Sequence, residues 1–374
     1  MKNKALYTFR LQRDWIFSAI FLLIAMSLFL AARYSTDFAQ WYSVRVYPVL
    51  QVSEAKLFSL WKGSFFEASL IFALILILFS IVSGVFVILL DRRKWKQLII
   101  KNFRIFLSIT AFFVMVYSLN CGVNYQRDGI GIVLNLPQTE ASKTNLMKLS
   151  LILADEITAL TNEPEWNYSQ LTEKNEAYIK SESITSMKSL GENEPSLAGY
   201  YPEPKPFHFS RLLSDVGIEG IFSPITMEAN YNREMTPFLI PYVMCHELAH
   251  LKGYMKEDDA GFIAYLACRN SQNPVFRYSG LFHGLIFTLN ALKTEATPEE
   301  FNVIYNRLPQ QIRYQLIYVN EKSLVDSSVF TSAARAVNDY YLKANAQTGT
   351  SSYSGIVNLL LSEYKDRIDR DDLI

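Results

Sequence analysis

Three long apolar runs near the start of the chain limit its fold more than any other feature. WIFSAIFLLIAMSLFLAARY begins at Trp15, FEASLIFALILILFSIVSGVFVILL covers Phe66 to Leu90, and FRIFLSITAFFVMVYSLN covers Phe103 to Asn120. A helix needs about 20 residues to cross the hydrocarbon core of a bilayer. The first two runs reach that length with almost no charge, whereas the third is interrupted by Arg104, Ser108 and Thr110. The expectation is three spans, at about 15–34, 66–90 and 103–120, with the lipid bilayer as first partner. No small-residue cleavage pattern of the A-x-A kind follows the first run, so it reads as an uncleaved anchor and not as a signal peptide.

Basic residues orient the spans. Lys2, Lys4, Arg10 and Arg13 precede the first, and Arg92, Arg93, Lys94, Lys96 and Lys101 lie between the second and third. Both stretches belong on the cytoplasmic side, which places everything after Cys121 outside. The stretch 34–65 reads as a longer outer loop, with Trp41 and Trp61 as interface anchors. The chain divides into a membrane region, 1–122, and a soluble domain, 123–374. Lys plus Arg and Asp plus Glu both number 36, so no net field favours nucleic acid as a partner.

The soluble part carries apolar residues at helical period over 139–161, and a second helix is expected over 170–190. GENEPSLAGYYPEPKPFHFS, rich in proline and glycine, reads as a surface loop, and its His208 as a packing residue beside Phe207 and Phe209. GIEGIFSPITMEANYN suggests one or two short strands broken at Pro224. Helices are expected again from Pro241 and over 257–272, 275–293, 298–306, 309–325, 327–343 and 353–366. The fold class is mainly α with a very small sheet. Cys121, Cys245 and Cys268 show no paired spacing, so they read as small buried residues and not as disulfides or ligands.

Two of the four histidines stand in CHELAHLKGYMKEDDAGFIAYLAC, residues 245–268. Residues four apart share one helix face. His246 and His250 therefore aim two imidazoles at one point, a pairing suited to zinc. Glu247, beside the first histidine, can reach a water in an open coordination position and take its proton. Gly253 is placed to end the helix in a left-handed conformation. A catalytic zinc site needs a third protein ligand, and the next helix opens with Glu257, Asp258 and Asp259. Glu257 is the first choice because Ala260 and Ala264 continue its face, and Asp258 is the second. The alternative is a metal-free helix whose histidines bond to Asp258 or Asp259. Glu228 and Asn230, in the strand before the motif, are candidates to bind an extended substrate. Tyr278 is a candidate donor to an oxyanion. His283, in SGLFHGLIF, reads more readily as a core histidine than as such a donor.

The chain resembles the bacterial membrane proteins grouped as domain of unknown function 3810. The resemblance rests on CGVNYQRDG after the third span, SPITMEANYN, the HELAH block, RYSG at 277–280, and NDYYLKANAQTGTSSYSGIVNLLLSEY. That family is in turn similar to the gluzincin peptidases, whose second helix carries E-x-x-A followed by Asp or Asn. The resemblance implies a zincin-like domain in a bacterial cytoplasmic membrane and supports Glu257 as ligand through the match at Glu257 and Ala260. Gly261 departs from the pattern where a polar residue normally stands, which leaves a bond to a histidine missing or supplied from elsewhere. The gap of six residues between His250 and Glu257 is shorter than in most gluzincins. The function implied is a membrane-anchored zinc peptidase acting on peptide or protein substrates. The competing class is a non-catalytic receptor or scaffold with a vestigial or structural zinc site.

Overall fold

A computed structural model of the chain describes residues 2–90, 95–164, 166–172, 175–325, 336 and 353–370. Contacts divide it into two units, Met1–Arg127 with Ser223–Met227, and Asp128–Phe222 with Glu228–Ile374.

In the first unit, α1 (Lys2–Tyr34), α4 (Phe65–Leu90) and α5 (Trp95–Tyr117) contain three stretches long and apolar enough to cross a membrane, Asp14–Tyr34, Phe65–Val87 and Trp95–Gln126. The chain is a membrane protein on that evidence of length and composition. The third helix starts eight residues before the expected 103, and two of its three interruptions, Arg104 and Ser108, have partners on α1. Arg104 pairs with Asp14 at 2.5 Å, and Ser108 bonds Ser18 at 2.9 Å. A charge inside a span is tolerated when it is paired in this way. Beyond Tyr117 the helix widens into a π-turn, Ser118–Gly122, and then tightens into a 3-10 turn, Val123–Gln126.

Between the first two spans lie two helices where a loop is expected, α2 (Thr36–Arg45) and α3 (Tyr47–Ser59). Local signals start them: Ser35 caps α2 by accepting from Phe38 N at 3.1 Å, and Pro48 sits in the first turn of α3. Tertiary bonds then hold them. Tyr42 donates to the Leu119 carbonyl at 3.0 Å and Ser43 to Asn124 at 2.7 Å. On α3, Glu54 accepts from Asn120 at 2.8 Å, and Ala39, Tyr47 and Ala55 are buried. Trp41 and Trp61 stay exposed.

The second unit is helical around one small sheet. It runs α6 (Ile130–Val133), α7 (Lys143–Thr161), α8 (Glu176–Asn193), α9 (Ser210–Asp215), α10 (Ile240–Leu251), α11 (Glu257–Arg269), α12 (Pro274–Glu295), α13 (Pro298–Tyr305), α14 (Gln310–Val325), α15 (Tyr353–Glu363) and α16 (Lys365–Arg370). The helix expected over 327–343 lies, but for residue 336, outside the described residues. The strands β1 (Lys205–Pro206), β2 (Gly220–Ser223) and β3 (Glu228–Tyr231) stand in the order β1-β3-β2, with β1 parallel to β3. The break at Pro224 falls between β2 and β3 as expected.

Helix α11 is the centre of the core. Every residue from Asp259 to Cys268 is buried, and the helix packs against α10, α12 and α15. A helix apolar on all sides can be stable only when surrounded. The proline-rich segment before β1 is not a surface loop. Tyr201 and Phe207 are buried, and Lys252, at the end of α10, donates to the carbonyls of Ala198 and Tyr200 at 2.8 and 3.0 Å. Proline and glycine content marks irregular backbone but not exposure; here a lysine takes the place of water on the carbonyls. His208 is exposed rather than packed.

Candidate metal centre

Helix α10 begins with Pro241 in its first turn and is buried along nearly its whole length. Its end is set by Gly253, whose φ of 85° is open to glycine and costly for other residues. Gly253 N bonds His250 O at 2.9 Å, and Tyr254 N bonds Ala249 O at 3.3 Å. These are the two bonds of a Schellman turn. The turn carries the Tyr254 carbonyl back over the last helical turn, where it lies 2.8 Å from His250 Nδ1. The imidazole N–H donates to that carbonyl, which leaves Nε2 with its lone pair free for another partner.

That partner region belongs to Glu257, the first residue of α11. Its Oε2 lies 3.1 Å from His246 Nε2 and its Oε1 lies 3.8 Å from His250 Nε2. The potential ligand atoms of His246, His250 and Glu257 all lie within 4.8 Å of one another. Burial holds His250 down at about 4, so it is neutral at neutral pH. Burial pushes the Glu257 carboxyl up, but the His246 hydrogen bond and the two imidazoles overcome it and hold it at about 2. His250 Nε2 and the Glu257 carboxylate are thus two acceptors facing each other, an arrangement a cation satisfies. Ligand bonds of about 2.0–2.1 Å in a tetrahedron would put ligand atoms roughly 3.4 Å apart. The separations of 3.1 and 3.8 Å bracket that value. Two imidazoles and one carboxylate are also a donor set that zinc accepts. The residues fit a divalent metal.

The other two carboxylates of the first turn of α11 have different work. Asp258 lies against the first turn of α15, where a Cβ added to Gly355 would come within 2.8 Å of Asp258 Cβ. Asp259 accepts from Ile130 N at 2.9 Å and so caps α6. The bonds of His246 and His250 go instead to Glu257 and to the Tyr254 carbonyl, so the alternative in which Asp258 or Asp259 holds them does not describe this site.

Glu247 is buried beside the three candidate ligands and outside their set. Burial raises its carboxyl to about 8, with the charges of Glu257 and Glu219 adding to the rise and His246 and the backbone N–H of Phe222 opposing it. Strand β2 supplies that N–H and lies directly on the side chain. A Cβ added to Gly220 would overlap Glu247 Oε1 and come within 2.9 Å of its Cδ. Only glycine lets the strand approach this closely. The Phe222 ring also stands 6.4 Å from the ring of His250.

The site explains the departure at Gly261. A Cβ there would be 2.9 Å from the hydroxyl of Tyr242, which donates to the Gly261 carbonyl at 3.1 Å. Tyr242 fills the space of the expected polar side chain without bonding His246. His246 Nδ1 is buried with no hydrogen-bond partner among the described residues. Tyr242 instead stacks on His283, with ring centroids 3.8 Å apart and planes at 11°. His283 bonds the Ser279 carbonyl at 2.8 Å and is held at about 4 by burial, a core histidine as expected.

The remaining expected site residues lie elsewhere. Strand β3 is the middle strand, not an edge, because β1 pairs on its other side. Glu228 is buried in an ion pair with Lys205 at 2.5 Å, and Asn230 donates to the carbonyls of Ile221 and Glu228, each at 3.2 Å. The edge strand beside Glu247 is β2. Tyr278 donates its hydroxyl to Gln315 and packs between Trp166 and Phe282. It is not among the residues that meet at His246, His250 and Glu257. Gly220, Phe222 and Tyr254 were not anticipated. Two of them act through backbone atoms and one through the lack of a side chain, and none of these leaves a motif.

The family model described as "Protein of unknown function (DUF3810)" matches residues 42–361, from within α2 to within α15, and takes in the whole site. No curated protein and no solved structure matches the chain.

Proposed function

We propose that this chain, which belongs to the DUF3810 family, is a membrane-anchored, zinc-dependent peptidase. His246, His250 and Glu257 hold the metal. When bound, zinc supplies Lewis acidity and makes a water acidic enough to ionise near neutral pH. Glu247 accepts the proton of the water that attacks the peptide carbonyl, and returns it to the leaving amine. The observation that carries this reading is that Glu247 is buried against the ligand set but is not one of its members. A purely structural site needs no such base. An extended peptide would pair along β2, the edge strand next to Glu247. The positive-inside pattern supports an extracytoplasmic position for this domain, and the resemblance to bacterial membrane proteins supports a bacterial cytoplasmic membrane.

The second reading, a receptor or scaffold with a vestigial site, draws on the contact at 3.1 Å between His246 Nε2 and Glu257 Oε2. That pair satisfies itself without a metal.

Metal analysis of the purified full chain, together with a peptide-library digest, separates the two. About one zinc per chain is expected, lost in His246→Ala and His250→Ala and weakened in Glu257→Gln. Glu247→Gln should keep the zinc and lower turnover about a hundredfold or more. Peptide turnover unaffected by Glu247→Gln, or wild-type protein free of zinc after purification with zinc present, would sink the peptidase reading.

A further inference from the structure

Two sequence blocks that carry the family resemblance add nothing to the ligand set, yet each holds a glycine pressed against the first turn of α11. CGVNYQRDG ends at Gly129, and NDYYLKANAQTGTSSYSGIVNLLLSEY contains Gly355. Both glycines and α11 lie in the helical unit. A Cβ on Gly129 would stand 3.0 Å from Asp259 Oδ1 and 3.3 Å from its Oδ2. Without that atom α6 can start on the carboxylate, and Ile130 N donates to Asp259 Oδ1 at 2.9 Å. From the other side, a Cβ on Gly355 would overlap Asp258 Oδ2 and come within 2.8 Å of Asp258 Cβ. The next residue of α15, Ile356, is buried against α11, where a Cβ on Gly261 would meet its Cδ1 at 2.9 Å. Helices α6 and α15 also touch each other, since a Cβ on Gly131 would be 2.7 Å from Leu359 Cδ2.

Glu257 needs this support more than the histidines do. Its side chain is 37 % exposed, against 17 % for His246 and 10 % for His250. It is also the first residue of its helix, and Lys256 before it gives the turn no side-chain cap. The first N–H groups of a helix have no partner within it, so an uncapped first turn keeps its shape through tertiary packing. Successive residues leave a helix about 100° apart. Asp258 and Asp259 therefore anchor the turn on two sides, and Glu257 points out of the remaining one, toward the histidines of α10.

We propose that Gly355 and Gly129 are positioning residues for Glu257. Their missing side chains let α15 and α6 grip Asp258 and Asp259, and the grip sets the separations of 3.1 and 3.8 Å between the Glu257 carboxylate and the two imidazoles. This rests on the reading of His246, His250 and Glu257 as a metal site, but the grip on the turn does not.

The test uses the full chain in detergent micelles and needs no substrate. Gly355→Ala should lower zinc affinity, measured by competition with a chelator, by about tenfold, the scale of losing a group that orients a metal ligand. With cobalt(II) in place of zinc, its visible absorption bands should shift, because they report the geometry of the ligands. Gly280→Ala is the control. Its Cβ would press as closely on the far end of the same helix, 2.8 Å from Cys268 Cβ. It should lower the melting temperature and leave zinc affinity within twofold of wild type and the cobalt spectrum unshifted. In metal-free protein, hydrogen exchange over 256–262 should speed up about fivefold or more in Gly355→Ala, as overpacking raises the open population. If Gly355→Ala does not fold, Gly129→Ala, with its milder contact at 3.0 Å, takes its place. Zinc affinity within twofold of wild type in the folded variant overturns the proposal. An equal loss in Gly280→Ala does so too, as does a loss of affinity with the cobalt spectrum unshifted, since either would report general loosening. A wild-type chain that binds neither zinc nor cobalt overturns the metal reading, and exchange over 256–262 then decides the grip by itself.

Discussion

Replacing Gly253 with alanine should weaken metal binding although Gly253 touches no metal ligand through a side chain. Its φ of 85° is left-handed, and an L-residue held there costs roughly 1–2 kcal/mol. Two outcomes compete. If the backbone keeps its course, the strain appears as lost stability. If it relaxes, the bonds from Gly253 N to His250 O and from Tyr254 N to Ala249 O open, and the Tyr254 carbonyl leaves His250 Nδ1, now 2.8 Å away. Losing an outer-shell partner of a metal-bound histidine typically costs 10–100-fold in affinity, or about 1.4–2.7 kcal/mol. The two costs are comparable, so the strain divides between them. The expectation is zinc affinity lower by about tenfold, with a melting temperature lower by about 2–4 °C for each kcal/mol left in the fold. Competition against a fluorescent chelator measures the first, and scanning calorimetry of the metal-free protein in detergent measures the second. Gly253→Asn is the control, since asparagine enters the left-handed region at less cost, and it should retain most of the affinity. If alanine lowers the melting temperature but leaves zinc affinity within twofold of wild type, the turn does not orient His250 and the reasoning fails. It fails equally if asparagine is no better than alanine.

Three further outcomes are expected. In metal-free protein the Glu247 carboxyl titrates at about 8, above its ordinary 4.5, so its stabilising contribution is whole below pH 4.5 and is lost as pH rises toward 8. His250, lowered from 6.5 to about 4, contributes fully above pH 6.5 and loses that contribution as pH falls toward 4. Thermal scans across pH should show both slopes, and the alkaline one should flatten in Glu247→Gln; an unchanged slope there refutes the assignment. Asp259→Ala leaves the Ile130 amide without its cap and should cost about 1–3 kcal/mol of stability, and Asp258→Asn should keep full zinc; loss of zinc in Asp258→Asn would mean the third ligand is misassigned. A reporter fused after Ile374 should be active only when exported, and activity of a reporter that works only in the cytoplasm would reverse the orientation.

The parts of the molecule legible in the sequence are those set by short-range regularity. Apolar length marks the spans, because a bilayer demands about 20 residues whatever else the chain does. The 3.6-residue period puts His246 and His250 on one face, and Gly253 marks the helix end because few other residues tolerate its φ. Glu257 could be preferred over Asp258 from the small residues that follow it on its face. Other features depend on which distant segment comes close. Helix α2 is held by bonds to Leu119 and Asn124, and α3 by a bond from Asn120, all more than 60 residues away, so the stretch 34–65 read as loop. Strand β3 was a candidate to bind an extended substrate by its place before the motif, and the strand that pairs on its other side, β1, is only two residues long and leaves no pattern. The duties of Asp258 and Asp259 depend on Gly355 and Ile130, both far along the chain. The seating of Glu247 depends on a missing Cβ at Gly220 and on the amide of Phe222. Every residue but proline carries that same amide. No residue type announces such a contact, and only the packing of β2 onto α10 decides it.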